Sequence, residues 1–227
     1  MSIKKIAVAV LALWSWIFSL GTFFYFAGWI ANRFVSVTVD AARNGPVLTG
    51  GIINFLLLSV FCLFHSGAAR LRFKAWSERY IPQALDRAVY NLASSILLLG
   101  VCFYWYSRPE LIWAASGSTA LIVMDGLNAA AWILMFAGIF LIDHNEFFGL
   151  RQAWFFVRGE SYRPLPAVSD RRYALSRVPL MLGLLLIPWT TRTMSIGQLY
   201  FAAAMTVYCV VGSWLSRADW QAHQRGA

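Results

Sequence analysis

Apolar residues fall into six runs, at 6–31, 50–69, 88–106, 126–143, 178–191 and 194–215, separated by polar segments. A helix needs roughly 20 apolar residues to cross a hydrocarbon core of about 30 Å, and five of the runs come close to or exceed that length. The run at 178–191 is short and ends near Pro188. It predicts either a span lengthened by Tyr173 to Arg177 or a hairpin made with 194–215. Backbone that stops inside a bilayer is tolerated only where protein or water covers it, so such a hairpin has to pack against the other helices. The pattern predicts an all-α polytopic integral membrane protein of about six transmembrane helices, with 1–227 forming one transmembrane domain.

The first run follows Lys4 and Lys5 and could be taken for a signal peptide. It is too long for one, holds bulky Trp14, Trp16, Phe23, Phe24 and Tyr25, and is followed by no small-x-small cleavage site, so a retained helix is expected.

Composition agrees with a membrane chain: 59% of residues are hydrophobic and 13% charged. The net charge of +9 could point to nucleic acid, but its distribution points elsewhere. If Lys4 and Lys5 lie inside, 15 of the 19 lysines and arginines fall on inner segments, leaving only Arg33, Arg43, Arg108 and Arg192 outside. That bias sets an orientation with both termini cytoplasmic. The expected location is the bacterial inner (cytoplasmic) membrane, in contact with its lipid, and no nucleic-acid partner is expected. Cys62, Cys102 and Cys209 sit singly in three apolar runs and read as small core residues.

Candidate chemistry concentrates in the polar stretch from Asp143 to Gly183, which holds six arginines and one of the three histidines. The outer loops 32–49 and 107–125 carry turn signals, Asn44-Gly45-Pro46 and Ser116-Gly117-Ser118, and no evident chemistry. His65 closes the second run five residues before Arg70. It could hold a cofactor, ligate haem or shuttle protons. It could equally bond a neighbouring helix where Gly67, Ala68 and Ala69 permit close approach. Arg70, Arg72, Lys74 and Arg79 read as a basic belt facing lipid phosphates. His144, flanked by Asp143, Glu146 and Arg151, falls at the depth of His65, so two imidazoles could bind a haem iron. The competing reading of 144–158 is an amphipathic interfacial helix with snorkelling arginines. No catalytic triad, phosphate loop or metal motif rises above chance.

Several blocks occur together in order: FYFAGWIANRF near 23, FHSGAARLRFK at 64, the Pro82 to Tyr90 stretch with Arg87, DHNEFFGLRQAW at 143, then SRVPLMLG and MSIGQLYFAAAMTVY. In these the chain resembles the bacterial methanethiol S-methyltransferases and the related NnrU-type membrane proteins. These in turn are similar to the isoprenylcysteine carboxyl methyltransferases, which hold S-adenosylmethionine between their last helices and a cytoplasmic C-terminal segment. The resemblance implies a cofactor pocket on the inner face, with His65, His144, Arg151, Arg177, Pro179 and Gly183 as candidate cofactor-binding residues. If the chain is active, Arg151 and Arg177 are the candidates for catalysis. No metal site is expected.

The chain departs from the family at the cofactor motif. Where the family has Arg-His-Pro-x-Tyr-x-Gly, this sequence has Arg177, Val178, Pro179, Leu180, Met181, Leu182 and Gly183. Arginine, proline and glycine, which would shape a turn, remain, while the imidazole and phenol are gone. The family's Glu-Glu-Arg-Asp stands here as Ser216, Arg217, Ala218 and Asp219, and the sequence ends eight residues later, without the family's basic, Tyr-containing tail. Reversing the charge beside a cofactor's cations, at about 4 Å and an effective dielectric near 20, is a swing of several kcal/mol. The expectation from sequence is therefore a pseudoenzyme: a non-catalytic structural or accessory subunit of a larger membrane complex, for instance an energy-converting one, with other membrane subunits as partners and no cofactor. The alternatives are an S-adenosylmethionine-dependent methyltransferase acting on a small thiol such as methanethiol, and an NnrU-like haem protein using His65 and His144.

Overall fold

The computed structural model describes the backbone of residues 2–163 and 170–225, and the side chains within them apart from those of 71, 72, 170–174, 176 and 215–225. The helices are α1 (Ile3–Ile30), α2 (Val47–Ala68), α3 (Leu71–Ser77), α4 (Asp86–Tyr104), α5 (Ser118–Ile142), α6 (His144–Phe148), α7 (Leu150–Arg158), α8 (Asp170–Leu186) and α9 (Ile196–Arg225). Among the described residues, α1, α2, α4 with the 3₁₀ turn before it, α5 and the Ile196–Trp214 part of α9 are long and apolar enough to cross a membrane. A shorter apolar segment, Arg177–Trp189, covers the C-terminal half of α8 and the turn beyond it. The architecture is the all-α polytopic one expected, with five helices long and apolar enough to span a membrane and one shorter apolar segment among the described residues.

Lipid is as apolar as leucine, so helices in a bilayer associate through close packing and interhelical hydrogen bonds. The buried residues of α1 show this: Val8, Ala12, Ser15, Ser19, Thr22, Phe26 and Trp29 recur every three or four positions, and four of the seven are small. That stripe meets α4. The Ser15 hydroxyl donates to the Ala88 carbonyl at 2.6 Å, and the Ser95 hydroxyl donates to that of Ser19 at 3.1 Å. Further along, Trp29 donates through Nε1 to the Cys102 carbonyl at 3.1 Å. Its ring meets those of Trp105 and Phe201 edge-on, forming the centre of the core.

α8 packs against α5 rather than pairing mainly with α9. Glycine makes the approach possible. A Cβ at Gly183 would lie 2.5 Å from the Met135 amide nitrogen, and one at Gly138 would lie 2.6 Å from that of Leu180. Small residues at a helix contact let backbones close to this distance.

In the Asp143–Gly183 stretch the described residues contain α6, α7 and most of α8. The structure corrects two expectations. Arg177, Pro179 and Gly183 shape no turn, because all three lie within the continuous helix α8, which contains Pro179. Proline is tolerated inside a membrane helix because neighbouring groups can satisfy the freed carbonyl. Finally, α5 begins at Ser118, so Asp125 stands on a membrane helix and not in an outer loop. The 107–125 segment also carries a strand, β1 (Leu111–Ala114), paired antiparallel with β2 (Thr193–Ser195).

Candidate functional site

α4 carries a polar stripe at Arg87, Tyr90, Asn91, Ser94 and Ser95, spaced three and four apart on one face. Contacts of this stripe tie α4 to α1, α2 and α6. Tyr90 hydroxyl donates to the His65 backbone carbonyl at 2.9 Å and lies 3.1 Å from the ring Nδ1 and 3.3 Å from Nε2. Ser94 Oγ is 3.2 Å from the same Nδ1. The His65 ring stacks on Phe61. Next to it on α2, the Ser66 hydroxyl meets the Tyr208 hydroxyl of α9 at 2.9 Å. α2, α4 and α9 therefore converge on one imidazole, two phenols and two serine hydroxyls.

Asn91 extends the stripe to a second cluster, donating to the Phe147 carbonyl of α6 at 2.9 Å. Asp143 opens this unit with φ of 91°, unusual for a residue other than glycine, and its carboxylate caps α6 by accepting from the Glu146 amide at 3.1 Å. Gly149 joins α6 to α7 at φ 84°. A Cβ there would lie 2.7 Å from the Ala88 amide nitrogen, so only glycine lets this turn press onto α4.

Folding brings Glu146 together with Arg151, Gln152 and Tyr162. Glu146 Oε1 accepts from Tyr162 at 2.5 Å and from Gln152 Nε2 at 2.8 Å. Glu146 Oε2 lies 3.5 Å from Arg151 Nε, an ion pair without hydrogen-bond geometry. Oε2, Arg151 Nε and Gln152 Oε1 are all buried and lack a hydrogen-bond partner. Burial, reinforced by the adjacent Glu146 carboxylate, pushes the Tyr162 phenol up to about 12, with Gln152 and Arg87 opposing. Burial likewise lowers the Lys74 ammonium, aided by Arg87 and opposed by Asp86, Glu146 and Glu78. Lys74 reaches Asp86 at 3.9 Å.

The candidate residues thus divide. His65 lies in the last turn of α2 within the first cluster, and Arg151 belongs to the second. His144 stands apart from His65: its Nε2 accepts from Trp16 Nε1 at 3.1 Å, and its ring stacks on Phe140. The lone pair that an iron would need is therefore engaged. No group of three or more potential metal ligands occurs among the described residues. Arg177 is half-buried on α8, Val178 is exposed, and Met181 lines a cleft of about 340 Å³ between α8 and α9 with Leu185, Cys209 and Ser213. That cleft is almost wholly apolar. Arg72 and the side chains of 216–219 lie outside those described.

Sequence reasoning missed Tyr90, Ser94, Gln152, Tyr162 and Tyr208. The α4 stripe was legible as a helical period of polar residues in an apolar run, whereas Gln152 and Tyr162 stand at no periodic distance from Glu146. It also missed the opposite end of the bundle, where Asp125 bridges Arg33, at 3.0 Å, and Arg192.

These features define a polytopic helical membrane protein with a polar, partly unsatisfied site at one end of its bundle. No family model and no solved structure significantly matches the chain. Curated relatives do. A protein named methanethiol S-methyltransferase 2 from Bradyrhizobium diazoefficiens is 34% identical over 95% of this chain and 83% of its own length. Methanethiol S-methyltransferases from Crocosphaera subtropica and Mycobacterium tuberculosis are 34% and 31% identical over 86% and 95% of the chain, and 76% and 88% of their own lengths. The chain belongs to the methanethiol S-methyltransferase family. More distantly, it matches rat nurim at 27% identity over 85% of the chain and 72% of that protein.

This membership overturns the reading of a non-catalytic accessory subunit. That reading judged the site from positions 178, 181, 216 and 217 and from the family's C-terminal tail. Folding supplies an acid at Glu146, an imidazole at His65 and phenols at Tyr90, Tyr162 and Tyr208 from other parts of the chain.

Proposed function

We propose that this protein is an S-adenosylmethionine-dependent S-methyltransferase acting on a small thiol, methanethiol being the substrate in its relatives' names. Agreement with such proteins over as much as 95% of the chain carries the reading. Both termini are then cytoplasmic, in a multi-pass domain of a bacterial inner membrane.

The residues at the second cluster fit the cofactor's polar groups. Its amino-acid end presents an ammonium and a carboxylate; Gln152 Oε1 is a buried acceptor without a hydrogen bond, and the Glu146–Arg151 ion pair, 3.5 Å apart and not hydrogen-bonded, can open to take one charge each. A buried polar group without a partner costs roughly 1–3 kcal/mol, which a matching ligand recovers. When bound, the cofactor supplies an electrophilic methyl on its sulfonium. Everything else falls to the chain. His65, with Tyr90 and Ser94 beside its ring, can accept the proton of a thiol, since the thiolate is the nucleophile. Arg151 and Arg177 add positive charge that favours the thiolate. Gly183 lets α8 lie against α5, and His144 fixes the start of α6 through Trp16.

The test is calorimetry of S-adenosylhomocysteine with the purified protein in mild detergent. Saturable binding supports the proposal, and no heat up to millimolar ligand rejects it.

A further inference from the structure

Arg87 opens the polar stripe of α4, on the face that also carries Tyr90 and Asn91. Those two residues make the contacts to His65 and to the Phe147 carbonyl, so Arg87 stands one helical turn from both clusters. The turn between α6 and α7 is pressed against it: a Cβ on Gly149 would lie 2.8 Å from the Arg87 Cβ. Its charge is felt at Tyr90 in the first cluster and at Tyr162 and Lys74 in the second.

The charges around Arg87 have partners, and Arg87 has none. Lys74 lies 3.9 Å from Asp86, and Arg151 lies 3.5 Å from Glu146. The Asp143 carboxylate caps α6, and Glu78, the other carboxylate acting on Lys74, is exposed. Among the described residues, no carboxylate comes within 4.0 Å of the Arg87 guanidinium and no group accepts a hydrogen bond from it. One half-buried cation is therefore left uncompensated where the two clusters meet. Taking a guanidinium partly out of water without giving it an anion is unfavourable, and an anion bound there restores the balance.

A sulfur that attacks a methyl group has to lie between the base that takes its proton and the methyl donor. With His65 in the first role and the Glu146 cluster beside the second, Arg87 faces the space between them. We infer that Arg87 binds the substrate sulfur and holds it as the thiolate. The inference rests on the methyl-transfer reading. The thiol proton passes to His65, the sulfur's electron pair forms the new bond to the methyl carbon, and the bond from that carbon to the sulfonium sulfur breaks. Its electrons remain on the departing S-adenosylhomocysteine, so no oxidant or reductant enters. Arg151 contributes less to the thiolate, because its charge is shared with Glu146.

The test uses the unreactive complex of the full-length protein with S-adenosylhomocysteine, whose binding is first measured by calorimetry. This ligand lacks the sulfonium charge, so the ionisation of a bound thiol reports the chain's own cations. Saturating methanethiol is added, and the thiolate is followed by its ultraviolet absorbance as pH is raised. A cation at hydrogen-bonding range lowers the pKa of an acid by about one unit or more. Below that pKa the wild type should therefore hold about tenfold more thiolate than Arg87→Gln, with Arg87→Lys in between. Loss of a merely structural arginine would change how much thiol binds and leave its ionisation where it was. The same thiol pKa in wild type and Arg87→Gln, no thiolate in the wild-type complex, or loss of S-adenosylhomocysteine binding in both variants overturns the inference while leaving the methyl-transfer reading in place. Failure of the wild type itself to bind S-adenosylhomocysteine rejects that reading, and the role of Arg87 with it.

Discussion

Replacing Gly183 by alanine would place a Cβ 2.5 Å from the Met135 amide nitrogen and 2.6 Å from the Ala131 carbonyl oxygen. Both are backbone atoms of α5, so no side-chain rotation relieves the contact. Since non-bonded atoms rest about 3.5–4.0 Å apart, the helices must separate by about 1 Å. Overpacking of this kind costs about 1–3 kcal/mol, while alanine recovers at most about 1 kcal/mol of helix propensity over glycine. The net expectation is a destabilisation of about 1–2 kcal/mol. Gly138→Ala, whose Cβ would lie 2.6 Å from the Leu180 amide nitrogen, should behave alike. Gly100 on α4 is the internal control, because a Cβ at that position would meet nothing within 4 Å, and alanine there should be neutral or slightly stabilising. Unfolding in mixed micelles with increasing sodium dodecyl sulfate measures all three. If Gly183→Ala and Gly100→Ala shift the midpoint in the same direction by similar amounts, the account of α5–α8 packing is refuted.

At the candidate site, Glu146→Gln removes the carboxylate assigned to the cofactor's ammonium. Hydrogen bonds to charged groups contribute about 1.5–3 kcal/mol, so S-adenosylhomocysteine should bind roughly ten- to a hundredfold more weakly by calorimetry. His65→Ala should leave that affinity nearly unchanged while slowing thiol methylation, a split between binding and turnover that a purely structural histidine would not show. Tyr162 adds a dependence on pH. Its folded pKa is raised from 10.0 to about 12, so the stability it contributes is fully present below pH 10 and is lost as pH rises through about 12. Unfolding followed across that alkaline window should lose this component in Tyr162→Phe.

The membrane helices were legible because length and apolarity alone specify a span, and the core helices follow the runs closely. What escaped was set by contacts between elements. Asp125 interrupts an apolar pattern and so reads as loop, yet two guanidiniums from distant segments neutralise it on α5. Pro179 reads as a helix stop, which is a rule for water more than for a bundle interior. The DHNEFFGLRQ block announced itself, but Glu146 acquires its meaning from Tyr162, sixteen positions away and drawn in by the fold. His65 had two readings, and the contacts of Tyr90 and Ser94 at its ring are those of the reading in which it bonds a neighbouring helix. The missing imidazole and phenol at 178 and 181 misled because a linear motif was taken as the whole site.

The most direct test is to incubate the purified protein in lipid vesicles with S-adenosylmethionine and methanethiol and to follow dimethyl sulfide by gas chromatography. The account predicts dimethyl sulfide and S-adenosylhomocysteine in equal amounts, formed in proportion to the protein and reduced in Glu146→Gln. Folded wild-type protein that forms neither product would contradict it.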